Sequence, residues 1–185
     1  MLTYQLTVAG LTRQLPVCPL NDNVSIAGFV ILGDEELTEA CAKALLPKLP
    51  PHDVMITAES KGIPLVHELC RQSGEKRYVL ARKSIKLYMP DPVTVKVQSI
   101  TTANTQTLII DRLDMEYLHG KRVVVVDDVI STGNSLKALE ELVEQAGGTV
   151  VGKMAILAEG DARNRDDIIY LEHLPLLHPD GTPIE

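Results

Sequence analysis

The sequence predicts an α/β domain of three layers, a mainly parallel sheet with helices on both faces. Two observations predict it. Short apolar runs, DVMITA (53–58), RYVLAR (77–82), VVVVDD (123–128) and TVVGKMAILAE (149–159), are rich in β-branched residues, as expected of strands buried on both faces. Between them lie stretches with apolar residues at helical spacing, and strand, turn and helix alternating in this way build a parallel sheet.

In order along the chain, Leu2, Tyr4, Leu6 and Val8 alternate with polar residues, and Gly10 turns the chain into Leu11, Arg13 and Leu15. That is a half-exposed hairpin, which Pro16 and Pro19 are expected to end. PLNDNVSIAGF (19–29) is a polar lead into an apolar patch. Asp34 can cap a helix carrying Leu37, Cys41, Ala44 and Leu45, closed by Pro47. After DVMITA comes the turn Glu59-Ser60-Lys61-Gly62. Pro64 suits the first turn of a helix ending near Gly74. KSIKLYMPDP (83–92) is too rich in proline and charge for core. VTVKVQSI (93–100) and QTLIID (106–111) flank TTANT as an antiparallel excursion. His119-Gly120-Lys121 turns into the valine strand. Residues 134–146 place Leu136, Leu139, Leu142 and Val143 on one helical face, stopped by Gly147-Gly148. DIIYLEHLPLLHPDG adds a short strand and an irregular tail.

The 185 residues suit a single domain, 1–185, with an N-terminal hairpin and hood (1–33) and a lid excursion (83–111) as additions. The net charge of −7 gives no global basic field for nucleic acid. No apolar run approaches the ~18–20 residues of a membrane helix, and MLTYQLTVAG has no signal-peptide pattern. The three cysteines, Cys18, Cys41 and Cys70, lack a C-x-x-C pair, which suits core positions in a reduced, cytoplasmic setting.

The strand ends carry the chemistry. Ligands of open parallel sheets bind beyond the carboxyl ends of the strands. There stand Glu59-Ser60-Lys61-Gly62, Arg82-Lys83, and Asp127-Asp128 followed by Ser131-Thr132-Gly133-Asn134-Ser135. A small polar loop entering a helix offers backbone N–H groups and a positive dipole end to a phosphate. Two carboxylates beside that phosphate would repel it, unless ribose hydroxyls or a Mg²⁺ ion lie between them. A solvated strand end followed by a helix cap is the bland alternative; it leaves VVVVDD unexplained. Neither Gly-x-x-x-x-Gly-Lys-Ser/Thr nor Gly-x-Gly-x-x-Gly occurs.

VVVVDDVISTGNS (123–135) resembles the phosphoribosyl-pyrophosphate (PRPP) signature of type I phosphoribosyltransferases. AESKGIPL (58–65) is similar to the pyrophosphate loop of the purine members, and LARKSIKLYM (80–89) to the segment opening their catalytic lid. The likeness spans roughly residues 20–175 and implies the type I phosphoribosyltransferase fold, three-layer α/β with a flexible lid and a small hood. It implies that Asp127 and Asp128 hold the ribose hydroxyls and, through PRPP, the Mg²⁺ cofactor. Ser131, Thr132, Gly133, Asn134 and Ser135 would wrap the 5′-phosphate. Glu59, Ser60, Lys61 and Gly62 would present N–H groups and an ammonium to the pyrophosphate, with a non-proline cis peptide at Glu59-Ser60 or Ser60-Lys61. Arg82 and Lys83 would join them, in family members often from a neighbouring subunit, so a homodimer is implied. Asp127, Asp128, Lys61, Arg82 and Lys83 form the catalytic set of this reading. Asn21, Asn23 and Phe29 are the base-binding candidates of the hood, Leu20-Asn21 being similar to the Leu-Asn of xanthine-preferring members. Asn21 and Asn23 also read as turn residues, and Phe29 as core.

The implied activity is transfer of 5-phosphoribosyl from PRPP to a purine, adenine foremost, giving the nucleoside monophosphate and pyrophosphate. Adenine-specific members usually carry Ser-x-Glu-Tyr-Gly in the lid, and Ser99-Ile100-Thr101-Thr102-Ala103 departs from it by having no carboxylate. The alternatives are a xanthine-, guanine- or hypoxanthine-preferring enzyme and a PRPP-sensing regulator. Regulators of that kind carry a winged-helix domain, whereas this chain opens directly on the hairpin.

Overall fold

The computed structural model describes residues 1–98 and 105–184. It opens on strand β1 (Thr3–Val8), paired antiparallel with β2 (Leu11–Pro19), which then pairs with the short β3 (Ser25–Ala27). The pairing of β2 with β1 ends at Pro16 and the strand itself at Pro19, the two prolines expected to end the hairpin. Pro16 sits where β2 leaves β1 for β3, and its carbonyl accepts from Gly28 N at 2.8 Å. A residue without an N–H is tolerated at such a handover.

Helix α1 (Glu35–Leu45) starts as Asp34 predicts, with the Asp34 carboxylate accepting from Leu37 N. The same carboxylate takes a bidentate pair from Arg13 at 2.7 and 3.0 Å, tying the hairpin to α1. β4 (Val54–Ala58) follows, then α2 (Gly62–Ser73), ended by Gly74 in the left-handed region at φ +82. β5 (Val79–Ala81) precedes the antiparallel pair β6 (Val93–Gln98) and β7 (Thr105–Ile110). Helix α3 (Arg112–Leu118), capped by Asp111, has no apolar stripe that periodicity would reveal, since only Leu118 of it is buried. Strand β8 (Arg122–Ile130), helix α4 (Asn134–Gln145), strand β9 (Thr149–Glu159) and strand β10 (Glu172–Leu174) complete the order.

The central sheet runs β10-β9-β8-β4-β5, every neighbour parallel. Alternate valines of β8 serve opposite faces. Val124 and Val126 join α1 and α2 through Leu37, Cys41, Leu65 and Leu69. Val123 and Val125 join α4 through Leu136, Leu139 and Leu142. Each such side chain contributes about 1.5–3 kcal/mol relative to exposure, which is why a run of four valines must be a central strand. The expected three layers are therefore present. The excursion 83–111 is anchored at its base, because Val95, Leu108 and Ile110 are buried in the α4 core. Arg82 and Ile109 exchange backbone hydrogen bonds at 2.8 Å, tying β7 to the end of β5. No helix among the described residues is long and apolar enough to cross a membrane.

Candidate functional site

Parallel neighbours place the carboxyl ends of β4, β5 and β8 side by side. A cleft of about 380 Å³ opens there, lined by Glu59, Ser60, Lys61, Lys83, Asp127, Asp128 and Ser135 among others. A smaller hollow of about 90 Å³ adjoins it, formed by Asp127 and by Ser131 to Leu136. A wider groove of about 450 Å³ between α1 and α2 is walled by Asp34, Glu35, Glu39 and Glu68. Its one arginine, Arg71, is paired to Glu68 at 2.6 Å. That wall repels a polyphosphate, whereas the narrower cleft brings Lys61 and Lys83 beside the aspartates.

β8 delivers its two aspartates differently. Asp128 is buried, and its Oδ2 has the Lys61 ammonium at 2.9 Å but no well-directed hydrogen bond among the described residues. A buried carboxylate oxygen held only by a charge is suited to accept from a ligand hydroxyl. Asp127 accepts from Asp128 N at 2.9 Å. Burial first, and the Asp128 charge second, push the Asp127 carboxyl up to about 7.

The turn after β4 is tight for a steric reason. A Cβ at Gly62 would collide with Thr57 Oγ1 and stand 3.4 Å from Asp127 Oδ1, so glycine lets the start of α2 approach β8. The Glu59–Ser60 peptide is cis, one of the two positions the resemblance implies.

Glu59 itself departs from expectation. Its N–H donates to Ala81 O at 2.9 Å and is not offered to a ligand. Its carboxylate accepts from Arg82 Nη1 and from Lys83 N, each at 3.0 Å. These contacts hold the carboxyl below its usual range, the Lys83 N–H contributing most. Glu59 thus fastens Arg82 and Lys83 to the turn after β4. Lys83 reaches the cleft wall; Arg82 is turned to Glu59 and lies 6.0 Å from the Tyr88 ring.

The loop after β8 is built otherwise. Gly133 takes φ +80 as the residue before α4, and no side chain caps the helix. Its lining is backbone, hydroxyls and the helix dipole. Arg165 Nη1 lies against Gly133, 2.6 Å from where a Cβ would stand. Neither spacing nor periodicity marks Arg165, which reaches this loop only through the tertiary fold.

The hood candidates take the turn and core places that the sequence also allows. Phe29 is buried in the core with Leu6, Val8 and Leu15 and has no free face for a base. Asn21 is exposed, and its Oδ1 accepts from Asn23 N and Val24 N, each at 2.9 Å. That is a turn-closing role. Asn23 is exposed in the same turn. Ser99 to Ala103 lie outside the described residues.

A parallel sheet whose strand ends unite a carboxylate pair, an ammonium and a glycine-turned helix N-terminus defines a protein that handles a phosphorylated sugar. The family model for the phosphoribosyl transferase domain matches residues 42–175. The chain belongs to this phosphoribosyltransferase family. An adenine phosphoribosyltransferase of Bifidobacterium longum is 31% identical over 149 residues, 78% of this chain and 74% of that one. One of Rhodococcus jostii is 35% identical over 128 residues, 69% of each. Among solved structures, the adenine phosphoribosyltransferase of Thermoanaerobacter pseudethanolicus superposes with a TM-score of 0.69 at 23% identity, covering 86% of this chain and 95% of that one. This last likeness speaks to the fold.

Proposed function

We propose that this protein transfers the 5-phosphoribosyl group of PRPP to adenine, forming the nucleoside monophosphate and releasing pyrophosphate. One observation carries the reading: Lys61, Asp127, Asp128 and Ser135 line one cleft that adjoins the Ser131–Ser135 hollow. A sugar bearing phosphates at both ends needs that order of cation, hydroxyl acceptors and N–H cradle. The names of the relatives support adenine as acceptor.

In this reading Asp127 and Asp128 receive the ribose hydroxyls, and the loop Ser131–Ser135 receives the 5′-phosphate. Lys61 leaves Asp128 for the pyrophosphate, joined by Lys83 and by the backbone of Ser60 and Gly62. Charge grows on the leaving pyrophosphate as the C1′–O bond breaks, and these positive groups stabilise it. Arg82 acts from behind, through Glu59. Among the described residues no group of three or more His, Cys, Asp or Glu side chains could hold a metal ion. In this reading Mg²⁺ would enter with the substrate as Mg-PRPP, with phosphate oxygens and water as its main ligands and Asp127 and Asp128 acting on it through PRPP. The stretch 83–92, the start of the 83–111 excursion, serves as lid stem and excludes water.

A homodimer belongs to the same reading. Ile85, Leu87 and Tyr88 are exposed apolar residues on the lid stem, which a second subunit would cover. The free thiols of Cys18, Cys41 and Cys70 fit a cytoplasmic setting.

The test is pyrophosphate release from Mg-PRPP with adenine, guanine, hypoxanthine and xanthine in turn. Adenine is expected to give the highest kcat/KM. A similar or larger value with hypoxanthine or guanine would move the chain beside the hypoxanthine/guanine enzyme of Methanohalophilus mahii, 28% identical over 109 residues. PRPP binding without release for any base would leave a sensor.

A further inference from the structure

Beyond the strand ends, one cation stands against the phosphate loop. Arg165 follows the short helical turn Gly160–Asn164 after β9. Its Nε donates to Asp167 Oδ1 at 2.9 Å and its Nη2 to Asp167 Oδ2 at 2.7 Å. Two parallel bonds of this kind fix the plane of a guanidinium. Asp167 is itself held by Lys153 Nζ at 2.7 Å, and Lys153 by Glu140 of α4 at 2.7 Å. The clamp leaves Nη1 as the projecting corner. That nitrogen lies 2.6 Å, and Cζ 3.9 Å, from where a Cβ on Gly133 would stand. Nη1 has no acceptor among the described residues.

We propose that Arg165 is a positioning residue of the 5′-phosphate site, a fixed positive charge that sets the Gly133 turn and strengthens binding of ligands bearing a 5′-phosphate. The proposal rests on reading Ser131–Ser135 as the 5′-phosphate cradle. Three features support it. The cradle contains no charged side chain of its own, so a dianion there is otherwise met by dipoles and hydroxyls alone. Glycine at 133 serves both the left-handed φ and the close approach of the guanidinium. The charges of Glu140, Lys153, Asp167 and Arg165 sum to zero, so the clamp orients Arg165 without adding negative charge to the loop.

Calorimetry with ribose 5-phosphate, and separately with pyrophosphate, on the full chain tests this. Arg165→Gln is expected to weaken ribose 5-phosphate about ten-fold, the scale of one charge several ångströms away at moderate dielectric. It should flatten the salt dependence of that affinity and leave pyrophosphate affinity unchanged. Arg165→Lys keeps the charge without the fork, and its loss should be smaller. Asp167→Asn removes a negative charge while keeping a hydrogen-bonding partner, so it should weaken ribose 5-phosphate by less than about three-fold. Equal losses in Arg165→Gln and Asp167→Asn, or equal losses for both ligands, would make the pair a structural clasp and overturn the proposal. Thr132→Glu controls for the cradle, since a carboxylate there should abolish ribose 5-phosphate binding. If Thr132→Glu binds like the wild type, or the wild type does not bind, the cradle reading falls and the proposal with it. If Thr132→Glu abolishes binding and Arg165→Gln does not alter it, the cradle stands and the proposal fails alone.

Discussion

The turns after β4 and β8 stand side by side at the same end of the sheet and are held by opposite means. The β4 turn is wired by charge: Lys61 to Asp128, and Glu59 to Arg82 and to the Lys83 N–H. The β8 loop places no charged side chain in the cradle and depends on Gly133 and the start of α4. Under the proposed function the difference sets how each would meet a phosphate. The pair from Lys61 to Asp128 of β8 would have to open before Lys61 could serve a ligand. Backbone dipoles at the β8 loop would need no such exchange.

The largest effect is expected where the two turns share a wall. Asp127→Asn combined with Asp128→Asn should lower PRPP affinity by about a thousand-fold or more, the scale of losing two charge-assisted acceptors. Circular dichroism should show the fold intact. Retained affinity would detach the carboxylates from the site.

Lys61→Ala comes next, with turnover falling about a hundred-fold, as for loss of one transition-state donor. Because Lys61 is about half exposed, thermal stability should change little. A Tm loss of many degrees would show the Lys61–Asp128 pair to be a fold element instead.

Glu59→Gln should lower kcat/KM for PRPP about ten-fold by loosening Arg82 and Lys83, an interaction of charge-assisted strength. Higher PRPP affinity in this variant would mean that Glu59 acts mainly by repulsion.

The smallest effect is on stability. The Asp127 carboxyl, normally near 3.8, is raised to about 7 in the fold. Between those values the native state holds a proton that the unfolded chain has released. Stability therefore falls as pH rises from about 4 to about 7, and the loss persists above it. Asp127→Asn alone should remove this decline, raising stability at pH 8 relative to pH 5 by on the order of 1–3 kcal/mol. Thermal melts of both proteins at the two pH values check it. An unchanged slope would place the shift elsewhere in the pair.

Much of this was legible in the chain before its folding was known. VVVVDD declared a central strand, because four consecutive buried valines have no other home. Asp34 and Gly74 marked helix ends through capping chemistry that is local. Helix α3 and strand β3 escaped, the first because it buries only Leu118, the second because it is too short for a pattern. Phe29 illustrates the limit for sites: its type suits base stacking, but it is buried in a core cluster with Leu6 and Val8 of β1.

By itself the sequence determined the order of strands and helices, α3 and β3 apart, and the residue types at each strand end, since both follow from near-neighbour spacing. The tertiary structure alone decided which of those ends meet. Parallel pairing brought Lys61 to Asp128, and the cross-strand contact of Arg82 with Ile109 set the base of the lid. Only packing turned Glu59 from a ligand candidate into a tether and carried Arg165, thirty-two positions beyond Gly133, onto the loop after β8. Contacts between distant segments have no local signal, because the free energy that selects them comes from closing the whole core.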